Sequence, residues 1–277
     1  MVQDGNGPGG VPDAQAAQAE QAEQAEPSGS VRGANGVQSV VRAFRLLEIF
    51  AANQGVMGLS EVAAQSGLPL PTIHRVVRTL VDLGYLRQEP SRRYALGPRL
   101  LLLADSTSTV LSSVALPHLR SLVEALGETS NLAVLEGDDI AYVAQVPGRH
   151  SMRMFTEVGR RVSPHCTAVG KSLLAQVSDA EARALLGRIE MTRHTDRTIV
   201  EPDDYLTELA AVRERGFALD EGEQEVGVRC VAVVVPHPTV RLAISVSGPA
   251  PRMTDDLVER AVPLLDEAAR TLAHDLT

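Results

Sequence analysis

Cysteine is nearly absent. Of 277 residues only Cys166 and Cys230 carry thiols, too few for a disulfide framework or a four-cysteine zinc site. No run of eighteen apolar residues occurs, and no basic start leads into an apolar stretch with a small-residue cleavage site. A membrane span and a secretory leader are therefore not expected, and a cytoplasmic location is. CxxC, HxxxH and GxSxG patterns are missing, as is a glycine-rich phosphate loop between a strand and a helix. Positive charge is also outnumbered, with 26 basic against 35 acidic residues and a formal net charge of −9. That value argues against a nucleic-acid partner only if the charge is evenly spread. What remains is a composition 44% hydrophobic and 22% charged, typical of a soluble globular protein. The length suits about two domains of roughly 100–200 residues each.

The charge is not evenly spread. Residues 1–36, with the repeat QAEQAEQAE, hold Arg32 against Asp4, Asp13, Glu20, Glu23 and Glu26. This low-complexity tail has too few apolar side chains to bury a core and is expected to be disordered. Residues 37–97 carry Arg42, Arg45, Arg75, Arg78, Arg87, Arg92 and Arg93 against Glu48, Glu61, Asp82 and Glu89, a net of +3. The remainder is acidic. One basic module inside an acidic chain is the charge pattern of a DNA reader attached to a separate domain.

The basic module has the order of a winged helix-turn-helix. Val40, Val41, Phe44, Leu47 and Phe50 recur near the helical period and predict a first helix from Val37. Ser60 is the expected N-cap of a second helix that ends at Gly67, and Pro71 suits the start of a third. In that third helix Ile73, Val76, Val77, Leu80 and Val81 form the apolar stripe. Thr72, His74, Arg75 and Arg78 fall on the other faces. YLRQ and RYALG then flank a turn over 89–92, making a hairpin with a basic tip. The third helix is expected in the major groove of double-stranded operator DNA, with Arg75 or Arg78 bidentate to guanine. Arg92 and Arg93 are expected at phosphate or the minor groove.

Beyond residue 97 the pattern implies a linker helix over 98–112 and an effector-binding domain over 113–277. A helix over 114–126 precedes NLAVLEGDDIAYVAQV, which alternates as a hairpin. Residues 168–189 and 201–216 look helical, FALDE, CVAVVVP and RLAISVSG look like strands, and a helix closes from Asp255. The fold class is α+β with a mainly antiparallel sheet. His165, Cys166, Asp220, Cys230, Ser245 and Ser247 include the residue types of a nucleophile–base pair or a metal site. However, His165 and Cys166 are adjacent, and neighbours on an extended strand point apart. No catalytic residue, cofactor or metal is expected, and an enzyme with a fused helical domain is the rival reading.

The strings VQSVVRAFRLLEIF, LSEVAAQSGLPLPTIHRVVRTLVDLGYL, PHCTAVGKSLLA, RERGFALDEGEQEVGVRC and LAISVSGPAPRMTDD together resemble the IclR-type transcriptional regulators over about residues 37–275. The resemblance implies a GAF-like effector domain and a homodimer or homotetramer. It also fits a pocket for a small anion. Ser245 and Ser247 face one side of a strand, and the free amides near Ala168 and Val169 open a helix that favours a carboxylate. Asp220 supplies an acceptor, with Cys230 one strand away. Met152, Met154 and Val228 are candidates for the apolar wall. HSMRMFTEVG and ISVSGPAPRMTDD are most similar to the branch that represses allantoin and glyoxylate utilisation genes. That similarity implies glyoxylate, allantoate or a related carboxylate held by Ala168, Val169, Asp220, Val228, Cys230, Ser245 and Ser247. Ala168 and Val169 are bulkier than that branch's residues, and Cys166 replaces a small non-thiol residue. A regulator of aromatic-acid catabolism is the alternative within the family.

Overall fold

The computed structural model describes residues 37–151 and 157–277. The tail 1–36 and the wall candidates Met152 and Met154 lie outside these residues.

The first unit packs three helices against a small sheet. In chain order these are α1 (Gln38–Ala52), β1 (Val56–Met57), α2 (Leu59–Ser66), α3 (Leu70–Asp82), β2 (Leu86–Gln88) and β3 (Tyr94–Leu96). Leu46, Phe50, Met57, Val62, Ile73, Val77, Leu80 and Leu86 form its buried core. Each such side chain contributes about 1.5–3 kcal/mol on burial. The apolar stripe expected on α1 is only half right. Phe50 is buried and Leu47 partly so, but Val40, Val41 and Phe44 are 51%, 55% and 59% exposed. Leu46 takes the inward place instead. The helix is apolar on two sides, and periodicity alone does not say which side meets its own core.

The expected cap at Ser60 is also corrected. Gly58 is the N-cap of α2, and the Glu61 carboxylate accepts its N–H at 2.6 Å, leaving Ser60 exposed in the first turn. Gly67 does end α2, at a φ of 66° that favours glycine. Pro71 lies in the first turn of α3, where an amide has no intrahelical acceptor to lose. The hairpin β2–β3 forms as expected, but β1 joins it to give the order β1-β3-β2. Two residues are too few to show an alternation in sequence.

A single helix, α4 (Arg99–Leu126), leaves this sheet. Its entry requires a glycine at 97, because a Cβ there would lie 2.2 Å from the Gly84 carbonyl oxygen. The linker over 98–112 and the helix over 114–126 are thus one continuous element, about 42 Å long at 1.5 Å per residue. Residues 101–110 are all exposed, whereas Ala115, Leu119, Leu122, Val123 and Leu126 are buried against the second unit. Among the described residues α4 alone is long and apolar enough to cross a membrane by length and composition. Its C-terminal half is nevertheless committed to a protein core.

That core belongs to a six-stranded antiparallel sheet of β4 (Thr129–Glu136), β5 (Asp139–Val146), β6 (Arg161–Val162), β7 (Ala218–Asp220), β8 (Val228–Val235) and β9 (Leu242–Pro249), in the order β6-β5-β4-β9-β8-β7. The end of α4 and the closing helix cover one face, where Leu119, Leu132, Val231, Ile244 and Leu265 meet. The other face carries α5 (Ala168–Leu174), α6 (Asp179–Leu186) and α7 (Pro202–Arg215); α8 (Asp255–Asp275) is the closing helix. The helical stretch expected over 168–189 is therefore two helices. Ser178 starts the second with a capping box to Glu181.

Candidate functional site

The apolar stripe of α3 fixes which side chains face outward. Ile73, Val77 and Leu80 are buried, so His74, Arg75 and Arg78 are exposed on the opposite surface, with Thr72 partly covered at the edge. The two arginines lie three residues apart on one exposed helical surface, the spacing a recognition helix uses to reach neighbouring base edges. Arg92 is exposed at the tip of the wing, with a φ of 63°. Arg93 also makes contacts within the module. Its guanidinium donates to Glu61 Oε2 at 3.0 Å and to the Val56 carbonyl at 3.1 Å, tying the wing to α2 and β1. These contacts join the wing to the rest of the module through an arginine that is itself exposed.

The face of the large sheet that carries α5, α6 and α7 also bears a row of polar side chains. Register places Asp220 opposite Cys230, Cys230 opposite Ser247, and Ser245 opposite Asn131. The expected set Asp220, Cys230, Ser245 and Ser247 is therefore brought together over neighbouring strands. Asn131 Nδ2 donates to Ser247 Oγ at 3.2 Å and Ser245 Oγ at 3.4 Å, and its Oδ1 accepts from Gln145 Nε2 at 3.0 Å. Ala168 and Val169 are buried in the first turn of α5 over the same face. Thr167 caps that turn by accepting the Gly170 N–H at 3.1 Å. Gly170 is required there, since a Cβ would meet the Pro164 carbonyl oxygen at 2.2 Å. Val228 sits at the start of β8 and opens onto a concavity of about 330 Å³ lined also by Thr195, Arg197, Glu221 and Arg229.

Burial sets the protonation of this face. Asp220 Oδ1 accepts the N–H groups of Gly222 and Glu223 at 3.0 and 2.7 Å, yet desolvation dominates and raises its pKa to about 6. Burial, followed by the Asp220 charge, holds the Cys230 thiol protonated, well above its usual range. Tyr142 is likewise pushed far up by burial, with the charges of Cys230 and Asp220 adding to it. Lys171, the chain's single lysine, is buried beside Glu223 and donates to the Leu219 carbonyl at 2.9 Å.

Asn131, Gln145 and Tyr142 were not expected from the sequence. A bulge hides two of them. The register passes from Leu132–Ala144 to Ala133–Tyr142, which skips Val143. This brings Tyr142 and Gln145, three residues apart, onto one face, where simple alternation would separate them.

The strand expected through His165 and Cys166 is a 3-10 turn, Pro164–Cys166. The two side chains consequently do not point to opposite sides of a sheet. One ligand atom from each of His165, Cys166 and exposed His194 lies within 4.8 Å of the others. His194 was not among the residues the sequence brought into consideration with His165 and Cys166.

Residues 39–90 match the IclR helix-turn-helix domain, and residues 105–274 match the bacterial transcriptional regulator IclR C-terminal domain. The chain is 36% identical over 247 residues to the transcriptional repressor IclR of Escherichia coli, covering 86% of this chain and 90% of that protein. Its fold is similar to the IclR of Thermotoga maritima, with a TM-score of 0.59 and 28% identity over 86% of this chain and 98% of the other. It is also similar to an IclR homologue from Microbacterium hydrocarbonoxydans complexed with 4-hydroxybenzoate, at a TM-score of 0.56 and 27% identity, covering 86% and 98% of the two chains. An arginine-bearing helix-turn-helix joined to an effector-type domain over matched lengths of this extent places the chain in the IclR family of ligand-responsive transcriptional regulators, not among enzymes.

Proposed function

We propose that this regulator is a cytoplasmic repressor that holds a partly palindromic operator as a dimer, or as a pair of dimers, and releases it when a small carboxylate enters the polar face of the large sheet. The observation that carries this reading is α4. One unbroken helix begins beside the wing and ends in the core beneath the polar row. A rearrangement at Asp220, Cys230, Ser245 and Ser247 therefore has a stiff element through which to alter the spacing of two DNA modules. The pairing surface is supported by the exposed apolar side chains Val40, Val41, Phe44, Leu101, Leu102 and Leu103. An apolar surface of this kind on two neighbouring helices calls for a partner, and a second copy also supplies the second half-site reader.

Glyoxylate and allantoate are the first effectors to test. Their carboxylates suit the amides of Ala168 and Val169 and the serine hydroxyls. Asp220 and Asn131 supply further acceptor and donor groups. A second reading, an aromatic acid, is favoured by the homologue complexed with 4-hydroxybenzoate and by Tyr142 beside the row.

The test has two arms. Arg75→Ala and Arg78→Ala should abolish or relax operator footprints while leaving the fold intact, and wild-type affinity should fall steeply with salt. A flat salt response with normal footprints from both variants removes the recognition-helix assignment. In a thermal-shift series with glyoxylate, allantoate and 4-hydroxybenzoate, the true effector at about 100 times its Kd adds about 2.7 kcal/mol. It must also bind the free form more tightly than the operator-bound form, since equal affinity shifts nothing.

A further inference from the structure

His165, Cys166 and His194 converge without belonging to the polar row of the sheet. They come from two segments, the 3-10 turn before α5 and the loop between α6 and α7. Their ligand atoms lie within 4.8 Å of one another. Bonds of about 2.0–2.3 Å in a tetrahedral zinc site place ligand atoms roughly 3.3–3.8 Å apart, so side-chain rotations closing about 1 Å complete the geometry. We propose that His165, Cys166 and His194 bind a thiophilic divalent transition-metal ion of the zinc type.

Three features beyond proximity support the site. The first is tautomer control. His165 Nε2 lies 3.0 Å from the Thr192 carbonyl, which can only accept, so Nε2 carries the proton and Nδ1 carries the lone pair. A ring N–H held by a backbone carbonyl is the usual outer support of a metal-binding histidine. Ser163 Oγ occupies that lone pair at 2.6 Å, so a metal bond through Nδ1 displaces the Ser163 hydroxyl.

The second is preorganisation of the loop. Thr198 Oγ1 accepts the N–H groups of His194 and Thr195 at 3.1 and 2.8 Å, and Thr195 Oγ1 donates to the Gly222 carbonyl at 2.7 Å. His194 is thus carried by a braced segment while its ring remains exposed, which gives the ion a path from solvent.

The third is the donor set. Thiolate with imidazoles selects zinc and its d-block neighbours over magnesium or calcium. Gln224 Oε1, which accepts from the Cys166 thiol at 2.8 Å, is an oxygen donor beside the cluster, and in the proposed site it or a water fills the fourth position. On binding, the S–H bond is replaced by a sulfur–metal bond and one proton leaves to solvent. No electron is transferred. The ion would fasten the turn before α5 to the 192–198 loop.

The experiment uses the full chain with zinc competing against a chromophoric chelator, and cobalt as a spectroscopic substitute. One equivalent per chain should bind, and the cobalt form should show tetrahedral ligand-field bands with thiolate-to-cobalt charge transfer. His194→Ala alters an exposed side chain and should weaken zinc at least tenfold with circular dichroism unchanged. Cys166→Ser should abolish the charge transfer, and Cys230→Ser should leave it intact. Substoichiometric binding overturns the proposal, as does undiminished affinity in His194→Ala. Charge transfer that follows Cys230 rather than Cys166 also overturns it.

Discussion

Asp220 is a carboxylate whose acidity is governed by opposing effects. Two backbone N–H groups favour its charged form, but burial outweighs them and lifts the pKa from 3.8 to about 6. At this site the native state therefore binds more protons than the unfolded state between about pH 4 and 6. The contribution of Asp220 to stability falls as pH rises through that window, by about 3 kcal/mol in total, and levels off above it. Asp220→Asn keeps an oxygen to accept from Gly222 and Glu223 and removes the charge. Urea unfolding across pH 4–8 should give the variant a flatter profile in this window and no loss at pH 7.5. A wild-type slope retained in the variant would assign the proton uptake to another group. The same variant should blunt effector release of operator DNA, which a role confined to the turn at Gly222 would not do.

At the scale of elements, one side chain holds the winged module's parts in place. Glu61 closes the cap of α2 at Gly58 and also receives Arg93 from the wing. Glu61→Ala should cost about 1–2 kcal/mol, mostly the cap, because an exposed ion pair contributes little. Glu61→Gln retains an oxygen for the Gly58 N–H and loses the ion pair. It should leave unfolding nearly unchanged while lowering operator affinity through a displaced wing, and titration against labelled operator reads the difference. Equal operator affinity in wild type and both variants would show that the wing does not depend on this clamp.

The helix order, the wing, the antiparallel strands and the shared face of Ser245 and Ser247 were legible because period and alternation survive in the sequence. The cap of α2 was not, since Gly58 has no side chain to announce itself and Ser60 offers a better-known capping residue two positions later. Nor was the meeting of Tyr142 with Gln145, which depends on one skipped residue. The approach of His194 to His165 is a long-range contact between a turn and a loop, where no periodic signal exists.

At the scale of the whole molecule, two groups of exposed apolar side chains, on α1 and on the first turns of α4, account for several of the residues that the monomer's cores leave uncovered. The net charge of −9 is likewise a property of the sum, and within the +3 module Arg75 and Arg78 are exposed on the outer face of α3. The ten bare residues of α4 have a mechanical meaning as well. An α-helix fixes azimuth as well as length, so this shaft transmits angular phase: each residue inserted turns one end against the other by about 100° and advances it 1.5 Å. Alanine insertions between Ser106 and Thr107 should therefore act periodically. Two residues, near half a turn out of phase, should abolish effector-dependent release. Three or four should restore much of it, read as operator occupancy with and without effector. A smooth decline with length would describe a tether, whereas a recurrence near 3.6 residues would describe a driveshaft keyed to the faces of the DNA helix.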